Sequence, residues 1–278
     1  MGILPMNNHF KREGYLKLEN AFSACEMNDL IHITETVLAV EHNRQDLLIE
    51  NGQPKKLLYL FDKNERFLEL LVSPPIINLL KNYSDDITQI VPTWEDMVIK
   101  LPFSNTGFMP HQDLPLQSVN SSVFSAAIYL CSSAAAPVSF LPGSHLLGPL
   151  TRTQLHALCD KEKENFVAVP ANQGDIIIHN AQTVHFSQHN KSASPCYTWY
   201  LEFRTVKQLL EDSLWDETWI MKRRAIFVYA LLKYYPCLVA SLAPDVEKLQ
   251  PYLDTIQLKV PHVTDSVNYD MQSPYYHF

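Results

Sequence analysis

Apolar positions recur at helical spacing from about Cys25 to Val40 and again from Glu65 to Tyr83, where Ser73, Pro74 and Pro75 break the run. Between the two, Lys55 to Phe61 is short and apolar, which suits a strand or a loop wall. From Trp94 onward the texture changes to short β-type runs between turn residues: Asp96 to Lys100, Val123 to Cys131, Val138 to Leu141, Val167 to Val169, Asp175 to His179 and Tyr197 to Phe203. That spacing predicts an antiparallel barrel or sandwich. A polar insert from Leu150 to Asn165 reads as helical. After Arg204 the helical pattern returns through Trp215 and Trp219 to Tyr235, and a tail rich in Pro and Tyr follows.

The layout is one domain over residues 1–278, mainly β with flanking helices (α+β). It has a helical part over 1–90, a β core over about 91–206 and a helical extension over 207–278. Hydrophobic residues make up 46% and charged residues 19%, so the chain is expected to fold without long disordered or coiled-coil segments. A formal charge of -8 argues against nucleic acid as a partner. The basic cluster Lys222-Arg223-Arg224 follows Asp216 and Glu217 and reads as a salt-bridged helix face.

Five scattered cysteines (Cys25, Cys131, Cys159, Cys196, Cys237) without CxxC spacing fit neither a disulfide scaffold nor a zinc site, so a reducing, cytoplasmic setting is expected. The amino terminus lacks a secretory pattern, and Met6 stands where myristoylation after Gly2 needs Ser or Thr. Lys233 and Pro236 interrupt the apolar stretch Ala225 to Ala243, which makes it a poor membrane span.

Candidate chemistry begins at His111-Gln112-Asp113. In an extended segment alternate side chains point the same way, so His111 and Asp113 can address one metal ion while Gln112 points elsewhere. A third ligand must then come from a distant strand, and His179, His185 and His189 compete for that place. Two histidines and one carboxylate on one face of an octahedral ion leave three positions open, the arrangement that holds a cosubstrate and dioxygen on iron(II).

Four further pieces accompany the HxD: Leu141-Pro142-Gly143-Ser144-His145, Gly174-Asp175 with the apolar run to His179, Val184-His185-Phe186-Ser187, and Asn190-Lys191-Ser192. Together with Phe10-Lys11-Arg12-Glu13-Gly14-Tyr15 and Leu18-Glu19-Asn20, they make the chain from about Phe10 to Arg204 resemble the phytanoyl-CoA dioxygenase family. The resemblance implies a double-stranded β-helix (jelly-roll, cupin-like) core, iron(II), 2-oxoglutarate as cosubstrate, and dioxygen. It also implies His111, Asp113 and His185 as metal ligands, with His179 behind them and His189 in a turn. His145 is expected either to brace its loop or to touch substrate.

In the family an Arg after the distal histidine meets the far carboxylate of 2-oxoglutarate, and Cys196 occupies that position here. Lys100, Gln112, Ser187, Thr198 and Arg204 are the candidate cosubstrate residues. Arg204 would lie about 26 Å along a regular strand from Cys196, and an ion pair with Glu202 or a carboxylate of the next helix is the alternative for it. Either the cosubstrate is held differently, or the iron site works without it, or the protein is a degenerate metal-binding or regulatory member. A cupin-like isomerase or hydrolase is a further rival.

By the same resemblance, retention of Asp113 favours hydroxylation over halogenation, while desaturation or ring formation would need the same triad. The substrate is readable only as a small organic molecule; Phe103, Phe108, Met109, Phe124, Trp199 and Phe203 are candidates either to line a pocket for an apolar one or to pack the barrel. No basic run marks a coenzyme A site. The Trp215/Trp219 region is expected to cap the barrel mouth or to form a homodimer face.

Overall fold

A computed structural model describes residues 8–40, 46–113, 123–213, 215–236 and 247–258. The expectations at Gly2, Met6 and Cys237, the end of the Ala225 to Ala243 stretch, and the Pro- and Tyr-rich tail apart from residues 247–258 lie outside these residues.

Eleven strands and eight helices are described. Short α1 (Asn8–Glu13) leads into β1 (Tyr15–Leu18), then α2 (Ala24–Val40), β2 (Leu47–Glu50) and β3 (Gln53–Leu58). Helix α3 (Glu65–Leu71) starts where the Asn64 side chain accepts from Arg66 N. Helix α4 (Pro74–Lys81) starts at Pro74, a residue tolerated in the first helical turn, so the expected break falls where the prolines put it. Then come β4 (Ile90–Lys100), β5 (Phe108–His111), β6 (Phe124–Tyr129), β7 (Val138–Phe140), α5 (Arg152–Lys161), β8 (Val167–Val169), β9 (Ile176–Asn180), β10 (His185–Ser187) and β11 (Cys196–Thr205). The chain continues through α6 (Val206–Asp212), α7 (Glu217–Tyr234) and α8 (Gln250–Leu258).

The strands form a seven-stranded sheet, β1-β9-β6-β11-β4-β3-β2, and a four-stranded sheet, β5-β10-β7-β8, antiparallel throughout. This is the expected double-stranded β-helix architecture. The expected helical part over 1–90 also carries β1, β2 and β3, which extend the large sheet at both edges; β3 overlaps the Lys55 to Phe61 stretch expected as a strand or a loop wall, whereas β1 and β2 stand outside the pattern read there. The three are four to six residues long, too short for an alternating pattern to stand out against neighbouring helices.

Period-two alternation assigns the two faces of the large sheet. Met97 and Ile99 of β4, Phe124, Ala126 and Ile128 of β6, and Tyr197, Trp199, Leu201 and Phe203 of β11 join the main core with residues of α2, α3, α4 and α7. The alternate positions face the space between the sheets. Buried Arg223 of α7 locks the helical layer to β4 by donating to Pro92 O at 2.8 Å and pairing with Glu95 through both guanidinium nitrogens. Arg224 Nε donates to Thr88 O at 2.6 Å. The expected salt-bridged surface therefore becomes a buried anchor whose acidic partner is Glu95.

Candidate metal centre

Strands β5 and β10 pair with His185 opposite His111, and Asp113 follows β5 after one intervening residue. Two residues distant in sequence thereby become lateral neighbours, with imidazole centroids 4.3 Å apart. His111 Nε2 lies 3.5 Å from Asp113 Oδ1, and His185 Nε2 lies 3.7 Å from the same oxygen. One ligand atom from each of the three residues lies within 4.8 Å of the others.

The other ring nitrogens fix how these groups present themselves. His111 Nδ1 lies 2.7 Å from Met109 O, and His185 Nδ1 lies 2.9 Å from Thr183 O. A carbonyl can only accept, so each Nδ1 carries the proton and each Nε2 turns a lone pair to the common centre. Asp113 Oδ2 is held by His179 Nε2 at 2.7 Å and by Ser125 Oγ at 3.1 Å, which leaves Oδ1 for a cation. Burial raises the Asp113 carboxyl, but His185, His111 and His179 outweigh it and hold the group well below the usual carboxylate range. Burial and neighbouring His111 depress His185, so its imidazole stays neutral and competent as a ligand. The donor set thus fits a divalent metal ion.

The segments around the centre are pinned from outside. Ser144 Oγ donates to Leu141 O at 2.7 Å and accepts from Val184 N at 2.8 Å, tying the PGSH turn to the residue before His185. His145 Nε2 lies 3.1 Å from Lys11 O, so this histidine braces the amino-terminal segment. Exposed His189 lies outside the triad.

Beside the triad, the space between the sheets is a cavity of about 470 Å³. Lys100, Ser187, Cys196 and Thr198 line it together with all three triad residues. Lys100 sits opposite Cys196 across β4 and β11. Its Nζ donates to Gln188 O at 2.6 Å, and burial lowers its pKa to about 8. A hydrogen bond from Cys131 outweighs burial and, with the Lys100 cation, lowers the Cys196 thiol's pKa.

Two expected cosubstrate residues are otherwise engaged. Gln112 touches the cavity, but its Nε2 donates to Gly148 O and Gln182 O at 3.0 and 2.6 Å while its Oε1 accepts from Leu150 N at 2.9 Å; the amide holds loops together. Arg204 is fully buried outside the cavity lining, paired with Glu202 at 3.0 Å and Asp212 at 2.7 Å, as its alternative reading had it. Of the candidate pocket aromatics, Phe108 lines the cavity and Phe124, Trp199 and Phe203 point into the main core. Met109 lines it too, whereas exposed Phe103 does not.

Trp215 lines the cavity and stacks on Trp219 at 5.4 Å, while Trp219 packs into a buried cluster with Val91, Leu209 and Ile220. Sequence reasoning missed Asp96, Ser125, Tyr129 and Tyr200, all of them in the lining. The even-numbered rhythm of β11, Cys196, Thr198, Tyr200 and Glu202, is the signal that gives the inward face.

Residues 10–195 match the family profile of Phytanoyl-CoA dioxygenase (PhyH). The chain belongs to the phytanoyl-CoA dioxygenase family. As a family member it is an oxidoreductase of the iron- and 2-oxoglutarate-dependent class.

No curated protein matches the chain. Among solved structures, EctD from S. alaskensis with 2-oxoglutarate and 5-hydroxyectoine superposes with a TM-score of 0.62 at 19% identity, covering 72% of this chain and 75% of that one. SnoN, the non-heme alpha ketoglutarate dependent epimerase from nogalamycin biosynthesis, gives 0.59 at 19% identity, with 71% and 78% covered. AviO1 from Streptomyces viridochromogenes Tue57 gives 0.59 at 22% identity, with 71% and 92% covered. At these identities the likeness carries the fold of this PhyH-family chain. No helix among the described residues is long and apolar enough to cross a membrane.

Proposed function

We propose that the protein is a mononuclear non-haem iron(II) oxygenase that uses 2-oxoglutarate to hydroxylate a small organic molecule, with His111, Asp113 and His185 holding the metal. The observation that carries this reading is the convergence of two Nε2 lone pairs and Asp113 Oδ1, each fixed by a hydrogen bond on its far side. Three protein ligands on one face suit iron(II) with open positions better than a closed structural zinc site. Bound iron with 2-oxoglutarate and dioxygen supplies the oxidising power to replace a substrate C–H by C–OH, giving succinate and carbon dioxide.

The chain's own residues position the reactants. Lys100 places a buried ammonium in the cavity as a point charge for the far carboxylate of 2-oxoglutarate, in the absence of an Arg at Cys196. Thr198 and Ser187 add hydroxyl groups to the lining. Hydrogen bonds from His179 and Ser125 keep Asp113 from rotating, and Trp215 adds its ring to the cavity wall. The four described cysteines are free thiols, which supports a reducing, cytoplasmic setting.

Anaerobic addition of iron(II) and 2-oxoglutarate is expected to give a weak visible charge-transfer band, and admission of air with substrate is expected to release succinate. Iron binding without the band and without calorimetric binding of 2-oxoglutarate would favour the metal-binding or regulatory rival, to which Cys196 points.

A further inference from the structure

On β4, Asp96 is fully buried yet lines the cavity. Its Oδ2 accepts from Lys56 Nζ at 2.6 Å and from Trp94 Nε1 at 3.0 Å. Its Oδ1 has no hydrogen-bond partner among the described residues. Buried carboxylate oxygens are rarely left without a donor, because the lost hydration is not recovered. An acceptor held through one oxygen and left without a donor on the other is one that a ligand bringing its own donor can satisfy.

The surroundings narrow what that ligand is. Asp96 lies directly opposite Tyr200 across β4 and β11, and Tyr200 lines the chamber that also holds the triad. Trp94 and Phe108 border the same cavity and offer ring surface to an apolar frame. Lys56 neutralises the Asp96 charge at 2.6 Å, and Lys55 lies 4.6 Å from the Phe108 ring centroid. Lys55 is itself paired with Glu50 at 2.7 Å, so the one ammonium on Asp96 is that of Lys56; with the carboxylate charge already matched, a neutral hydroxyl or N–H suits the unpartnered oxygen best.

We propose that Asp96 is a substrate-recognising residue whose Oδ1 accepts a hydrogen bond from a hydroxyl or N–H of a neutral organic substrate, with the substrate's ring or apolar frame against Trp94 and Phe108. The assignment rests on the cavity being the oxygenase active site. Asp96 adds an acceptor to a pocket otherwise read as apolar, so a purely hydrocarbon substrate is selected against.

Three six-membered-ring probes test it: trans-1,4-cyclohexanediol, 1,4-dimethoxycyclohexane and cyclohexylammonium, titrated calorimetrically under argon into protein loaded with iron(II) and 2-oxoglutarate. Wild type is expected to bind the diol about ten-fold more tightly than the diether, the worth of one hydrogen bond to a charged group, and no less tightly than the ammonium. Asp96→Asn keeps its carbonyl for Lys56 and Trp94 and turns an N–H donor to the cavity, so the diol-to-diether preference is expected to fall or reverse.

Lys56→Met removes the neutralising charge and is expected to move the preference toward cyclohexylammonium. Equal binding of diol and diether by wild type, no binding of the diol, or an unchanged ratio in Asp96→Asn would overturn the assignment. Those results with intact iron and 2-oxoglutarate binding leave the oxygenase reading standing. Failure of wild type to bind iron removes both.

Discussion

In the proposed site, Lys100 is the residue that would take over from the missing family Arg in binding the cosubstrate. Its pKa is lowered to about 8 by burial, so near pH 7 it is mostly an ammonium and near pH 9 mostly an amine. An anionic cosubstrate binds the charged form, which means that affinity is highest below that value and falls as pH rises through it. The expected loss is up to about ten-fold per pH unit above pH 8, the limit for one coupled proton. Lys100→Met is expected to bind 2-oxoglutarate weakly and with no pH dependence over that range, and calorimetry from pH 7 to 9 measures both. A pH-independent wild type would place the far carboxylate elsewhere. Cys196→Arg is the complementary change: a guanidinium opposite Lys100 is expected to tighten 2-oxoglutarate binding.

Of the elements, the one that carries His185, the proposed distal ligand, is among the shortest. Strand β10 has three residues, and its neighbours hold it in place: β5 and β7 on its two sides, Ser144 at Val184, and the amino-terminal segment behind it. Gly14 closes that last contact at φ +83°, with its carbonyl accepting from Asn180 N at 2.8 Å and Thr183 Oγ1 at 2.9 Å. A Cβ there would stand 2.4 Å from Thr183 Oγ1 and 2.5 Å from His145 Nδ1. Gly14→Ala is therefore expected to cost about 2 kcal/mol or more in urea unfolding. Gly52→Ala, at φ +75° with nothing near its Cβ, is expected to cost only about 1 kcal/mol. Equal losses would mean that the packing at Gly14 is not what matters. This is also where pattern reading ran out. The ten-residue strand β11 and helices α2, α3 and α4 are legible from periodicity, and β6 from its run of apolar residues between turns. Strands β5 and β10 carry three or four residues each and became visible only through the HxD and H-x-S pieces they bear.

At the scale of the whole molecule, two layers meet at the large sheet, one built of helices and one enclosing the metal centre, and each has its own buried charge. The helical layer depends on Arg223 and Glu95. Arg223→Met would strand Glu95 beneath the sheet and is expected to cost about 3–5 kcal/mol, most of it recovered on adding Glu95→Leu. Arg204 illustrates why such residues mislead a reader of sequence: a strand-borne Arg near the motif looks like a carboxylate clamp until Asp212, eight residues on, is seen to have claimed it. The other layer carries the proposed metal site. Asp113, His111 and His185 form a preorganised site, so a metal ion that binds the native state alone stabilises it by about 2.7 kcal/mol at a hundred times its dissociation constant. For a chain of this size that corresponds to a rise in Tm of roughly 5–11 °C. Iron(II), or redox-inert manganese(II) in its place, is expected to raise the wild-type melting temperature by that amount, and excess chelator to return it to the apo value. His111→Ala, Asp113→Ala and His185→Ala are expected to fold but to show no shift with metal. A full shift retained by His185→Ala would move the distal ligand to His179, whose Nε2 already lies 2.7 Å from Asp113 and whose Nδ1 has no partner among the described residues.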